Sequence, residues 1–102
     1  MLFRSRYDTI GRLSDQHFLI KIAMLFGLAD PKGNVLIEPR FDHLQNLENG
    51  YVIAGREGKF GLLTLHGLST VPLIYDKLVY DPGKNQYLAL KKASWQKLKV
   101  TQ

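Results

Sequence analysis

The chain has no cysteine, a single tryptophan and only four prolines among its 102 residues. Without thiols there is neither a disulfide framework nor a thiolate metal site, and the redox compartment stays open, because a cysteine-free protein survives in any of them. Long apolar runs are also missing. The longest, Ile22 to Ala29, is far too short to span a bilayer. The N-terminal stretch Met1 to Asp8 places Arg4 and Arg6 after its apolar residues with no apolar run behind them, which is not a secretory signal and points to a soluble, cytoplasmic protein. What is present is an ordinary globular balance, 45% hydrophobic against 23% charged, enough for one compact domain. The net charge of +5 makes nucleic acid or another anionic surface a partner to consider, although many small domains carry such a charge for solubility alone.

The dominant feature is an internal repeat. An aromatic-aspartate pair recurs every 34 residues, at Tyr7-Asp8, Phe41-Asp42 and Tyr75-Asp76, and an aliphatic residue follows two positions on at Ile10, Leu44 and Leu78. Each copy then opens an apolar stretch on an aromatic (Phe18, Tyr51, Tyr87) and reaches a second aromatic at Phe26, Phe60 and Trp95. Glycine follows the first two of these, as Gly27 and Gly61, and Gly33 falls on Gly67. Counting back from Tyr7 places Arg6 on Arg40, Phe3 on Ile37 and Leu2 on Leu36, so Met1 to Arg6 reads as the last strand of a unit whose beginning lies at the other end. The units are therefore 7–40, 41–74, and 75–102 completed by 1–6.

Short apolar stretches bounded by turn residues are a strand pattern. Strands are expected over Phe18 to Ala23, Tyr51 to Ala54 and Tyr87 to Lys91, each followed by a tight hairpin into a second strand from Phe26, Phe60 or Trp95. Asp30-Pro31-Lys32-Gly33 is a turn by mechanism: the aspartate accepts backbone N–H groups, proline presets φ and glycine closes. It leads into Asn34 to Glu38. The matching strand is Ser69 to Ile74, where Pro72 signals an edge or strand end. Ile10 to Phe18 is compatible with a short helical turn, while Trp95 to Val100 alternates apolar and polar residues as a half-buried strand does. The fold class is mainly β: three antiparallel units, expected to close into a pseudo-threefold barrel or propeller-like array with the third unit split between the termini. Pairing of Met1 to Arg6 with the Trp95 to Gln102 strand would close it within one molecule. Pairing between molecules would give a strand-swapped or head-to-tail oligomer.

These residues resemble the bacterial WG-repeat family, whose units combine a lysine-glycine hairpin, a Trp-Gly dipeptide, an aspartate-glycine turn, an apolar-proline segment and a closing Tyr-Asp. The stretches that carry the resemblance are Gly58 to Leu63 and Phe26 to Asp42. Phenylalanine stands for tryptophan in two units, and Trp95 is followed by Gln96 where the family has glycine. The resemblance implies an interaction role and no shared enzymatic activity.

Chemistry-bearing residues are sparse. His17, His43 and His66 share no recurring spacing, and there is no HxH, HExxH or cysteine pair. Asp8, Asp42 and Asp76 could converge on a threefold axis as a cation site, but an aspartate after a strand-ending aromatic caps a turn in the ordinary case. Ser14, Asp15 and His17 are neighbours in sequence without the geometry of a triad. Phe26, Phe60 and Trp95 are expected to fill the core where units meet, the following glycine allowing close backbone approach. The candidate surface for an anionic partner is Arg4, Arg6, Lys91, Lys92, Lys97 and Lys99, residues that equally protect an edge strand from aggregation. The expectation is a non-enzymatic interaction module with no cofactor and no metal, its partner another protein. The alternative is a binder of nucleic acid or another anionic polymer through the basic terminal hairpin.

Overall fold

The computed structural model describes residues 9–14, 17–98 and 100. They form eleven strands and, among the described residues, no helix. The first sheet is an antiparallel meander of β1 (Thr9–Ser14), β2 (His17–Ile22), β3 (Leu25–Ala29) and β4 (Val35–Phe41). The second repeats it with β5 (His43–Asn46), β6 (Tyr51–Arg56), β7 (Lys59–Thr64) and β8 (Ser69–Tyr75). The third has β9 (Lys77–Asp81), β10 (Gln86–Lys91) and β11 (Ser94–Leu98). The strands expected at the hairpins and after the Asp30 turn are all present. The strand that opens each sheet is the difference. Thr9–Ser14 is extended and not helical, and β5 and β9 begin directly after the aspartate, where the sequence shows little apolar alternation.

The three sheets stack face on face: the forward face of the first meets the rear face of the second, and the forward face of the second meets the rear face of the third. Strand alternation sends Leu28 and Ile37 forward from the first sheet, where they pack with Val52, Ala54 and Leu63 of the second. The opposite face of the second sheet sends Ile53, Leu62 and Val71 against Leu78, Tyr87 and Ala89 of the third. The same-numbered step of 34 residues converts the first forward set into the second, so the two interfaces are built alike. The molecule is elongated, 44 × 26 × 19 Å. No closed barrel is found among the described residues, and Met1 to Arg6, on which the expected closure rests, lie outside them.

Two devices fix the last strand of each complete sheet. Phe26 pairs with Phe41 and Leu28 with Ile37, so β4 advances four residues while β3 advances two; Phe60–Tyr75 and Leu62–Val71 do the same in the second sheet. These are bulges, and they hold Pro39 and Pro72, which have no N–H to leave unpaired. Pro72 lies on an edge strand, as its position in the sequence implies. Opposite the bulge the chain needs glycine. A Cβ on Gly61 would lie 2.5 Å from the Val71 carbonyl oxygen and 2.8 Å from the Pro72 carbonyl carbon, and Gly27 faces Ile37 and Pro39 in the same way.

At the interface of the second and third sheets, Tyr87 is buried between Tyr51, 6.3 Å away edge-on, and Tyr80, 4.7 Å away and tilted. Its hydroxyl accepts a bond from Asn49 Nδ2 at 2.7 Å. Burial pushes the phenol above its ordinary value of 10.0, the Asn49 bond opposing and the two neighbouring tyrosines assisting. A neutral phenol is favoured in the folded state, so its stabilising contribution is complete below pH 10 and is lost as pH rises through the raised value.

Two outcomes follow. Gly61→Ala forces a backbone carbonyl to move and should cost about 2 kcal/mol or more in denaturant unfolding. The thermal midpoint should fall as pH rises above 10, and Tyr87→Phe should make that fall shallower.

Candidate functional site

The aspartates of the repeat occupy the single-residue junctions between sheets. Asp42 links β4 to β5 and Asp76 links β8 to β9. The Asp42 N–H donates to the Gly55 carbonyl at 3.0 Å, and its Oδ2 accepts the Glu57 N–H at 3.0 Å. Asp76 repeats this, its N–H donating to Leu90 at 2.7 Å and its Oδ2 accepting the Lys92 N–H at 3.2 Å. The capping role expected of these aspartates is what the geometry shows, and Asp8 lies outside the described residues. The hairpins carry strained backbone. Glu57 and Gly58 sit at φ 53° and 81°, Lys92 and Ala93 at 51° and 63°, and Ala23 and Met24 at 49° and 70°. Two residues with positive φ give the hairpin twist that matches the strands, and side-chain-bearing residues hold it at a cost of about 1–2 kcal/mol each.

Asp76 carries one further contact. Lys59 Nζ of the second sheet lies 2.5 Å from Asp76 Oδ1. That hydrogen bond, then the Lys92 N–H, holds the Asp76 carboxyl below its ordinary value. Asp30 is lowered by the Asn34 side-chain amide, 3.0 Å from Oδ2, with help from the N–H groups of Asn34 and Lys32 on Oδ1. In the second sheet Thr64 does this work with its hydroxyl, 3.3 Å from the His66 N–H and 3.2 Å from the Leu68 N–H.

Beside these two turns lies a cavity of about 350 Å³, lined by His17, Asp30, Lys32, Asn34 and His66. Its chemistry is largely spoken for, since both oxygens of the Asp30 carboxylate are engaged in the turn. His43 instead meets Phe60 edge-on at 5.6 Å, and Phe60 covers Gly55, whose Cβ would lie 2.5 Å from the ring. No group of three His, Cys, Asp or Glu side chains among the described residues is arranged to hold a metal ion.

Of the basic residues named from the sequence, Lys91, Lys92 and Lys97 are exposed on the β10–β11 hairpin, whereas Arg4, Arg6 and Lys99 lie outside the described residues. The hairpin does not gather them on one side. Tyr87, Ala89 and Lys91 share the rear face of the third sheet, Lys92 is in the turn, and Lys97 shares the forward face with Trp95. That forward face is the surface the sequence did not disclose. Leu90 is flanked by Lys77 and Trp95, and Leu88 by Val79 and Lys97. Trp95 is 53% exposed and Val79 45%. Trp95 is thus not in the core. Phe26 and Phe60 have Phe41 and Tyr75 opposite them on a fourth strand, and β11 is an edge among the described residues. The signal available beforehand was Gln96 and Lys97 standing where the second unit has Gly61 and Leu62; the places of Lys77 and Val79 require the register of β9.

Stacked four-stranded meanders joined at capped one-residue junctions define a β-repeat protein. Residues 26–60, from Phe26 of the first sheet to Phe60 of the second, match the family model described as WG containing repeat. No curated protein and no solved structure matches the chain.

Lys59→Met should return the Asp76 carboxyl toward its ordinary titration, read by NMR as an upward shift of its midpoint. Acid stability should change with it: the contribution of Asp76 exists above the ordinary carboxyl value and disappears as pH falls through the lowered one.

Proposed function

We propose that this chain is a non-enzymatic interaction module that works through the forward face of its third sheet. The observation that carries this reading is the contrast between equivalent faces. The forward faces of the first and second sheets are covered by the next sheet, while that of the third keeps a tryptophan 53% exposed beside Leu88, Leu90 and Val79. A contiguous apolar and aromatic surface rimmed by lysine is the composition of a binding surface: aromatics anchor, and charges at the rim steer and select.

The second reading, an anionic polymer as partner, is favoured by one specific feature. Every residue from Lys91 to Lys97 is exposed, and the forward face of the hairpin offers Lys97 together with the only tryptophan, with Lys92 in the adjoining turn.

The test is capture by the immobilised full chain, comparing the native protein with Trp95→Ser and, as a control on another exposed apolar side chain, Met24→Ser. Met24 is 72% exposed at the far hairpin of the first sheet. A partner retained by the native chain and Met24→Ser but lost by Trp95→Ser is the expected result. Equal retention by all three would overturn the assignment of this face.

A further inference from the structure

The covered forward faces suggest that a further sheet of the same kind would sit on the third one, but two residues stand against that occupant. Lys97 takes the place of Leu62, since Leu62 pairs with Ile53 as Lys97 pairs with Leu88, and Leu62 is fully buried under the third sheet. A stacked sheet would bury the Lys97 ammonium without a partner. Gln96 takes the place of Gly61: Gly61 pairs with Ala54 as Gln96 pairs with Ala89. The space a Cβ would need at Gly61 is filled by the carbonyl groups of the bulged fourth strand. A strand of the β4 or β8 kind therefore does not fit beside β11 in the register seen in the first two sheets. Among the described residues the third sheet is the last of the stack, and its forward face carries residues unsuited to a further sheet of the same kind.

On that surface the side chains form two rows across the strands, Lys77–Leu90–Trp95 and Val79–Leu88–Lys97. Trp95 and Lys97 are two residues apart on one strand, hence about 7 Å apart, and Lys77 lies two strands from Trp95, about 10 Å. Lysines thus stand on two sides of an exposed indole on one face of the sheet. A nucleobase offers a π face to the indole, and the phosphates before and after it fall within reach of flexible lysine side chains. A duplex hides its base faces, and an acidic chain such as polyglutamate has no aromatic ring to stack on the indole. The net charge of +5 acts in the same direction.

We infer that the forward face of β9–β11 binds single-stranded nucleic acid, with one base stacked on Trp95 and the flanking phosphates held by Lys77 and Lys97. This rests on the interaction reading above and names its partner class.

Trp95 is the only tryptophan, so its own fluorescence reports the contact. The full chain is titrated with an oligothymidylate at low salt, with the matching duplex and polyglutamate as parallel arms. The expected result is quenching of Trp95 by the single strand, weakened steeply by salt, and weaker binding of the duplex and of polyglutamate. In anisotropy with the labelled strand, Trp95→Leu should lose about tenfold or more in affinity while Trp95→Phe, which keeps a stacking face, loses less. Lys97→Met should lower the salt slope by about one. All three changes lie on the outer surface, and unchanged circular dichroism establishes that the variants fold. No quenching, equal affinity of Trp95→Leu, or equal binding of duplex or polyglutamate would overturn the inference. Trp95-dependent capture of a protein with no binding of the oligonucleotide would overturn it while leaving the interaction reading in place.

Discussion

Everything in this molecule hangs on the one-residue junction between consecutive sheets. A chain that leaves β4 at Phe41 and enters β5 at His43 has no slack, so the second sheet must begin beside the first and turn its rear face onto it. Asp42 makes that turn reproducible. Its N–H bonds across to Gly55 and its carboxylate reaches the N–H of Glu57, tying the junction to the far hairpin of the sheet it opens. Asp76 does the same with Leu90 and Lys92. Each hairpin is thereby held in a backbone conformation that Lys92 and Ala93 would not choose alone. The stacking interfaces follow from this placement, with Leu28 and Ile37 meeting Val52 and Ala54 in one, and Leu62 and Val71 meeting Leu78 and Ala89 in the next.

The period of the repeat, the hairpins and the Asp30 turn were legible because each is written in residues with strong local preferences. Aspartate, glycine and proline act over a few positions, and their spacing survives without knowledge of the fold. The opening strands were not legible for the same reason in reverse. His43-Leu44-Gln45-Asn46 contains one aliphatic residue, and it is extended because β6 pairs with it, not because of its own composition. Glycine at positions 27 and 61 marks a place of close approach in the sequence itself, while the bulge that makes the approach necessary depends on long-range register.

The exposed surface was legible only in part. Lys91, Lys92 and Lys97 are close in sequence and together on one hairpin, yet alternation divides them between faces. Trp95 aligns with Phe26 and Phe60 and so looks like a core residue; its environment is decided by Gln96 and Lys97, which interrupt the pattern immediately after it. Lys77 and Val79 come to its side through the pairing of β9 with β10, a contact that no local motif announces. Departures from a repeat carried more information about the surface than the repeat itself.

Face-on-face stacking joins unlike surfaces: a forward face always meets a rear face. Such an assembly has polarity, and its two ends are chemically different objects. Lengthening it from within would add core and leave the number of outer faces unchanged. Each array therefore presents one outer forward face, set by topology, whatever the count of sheets behind the terminal one.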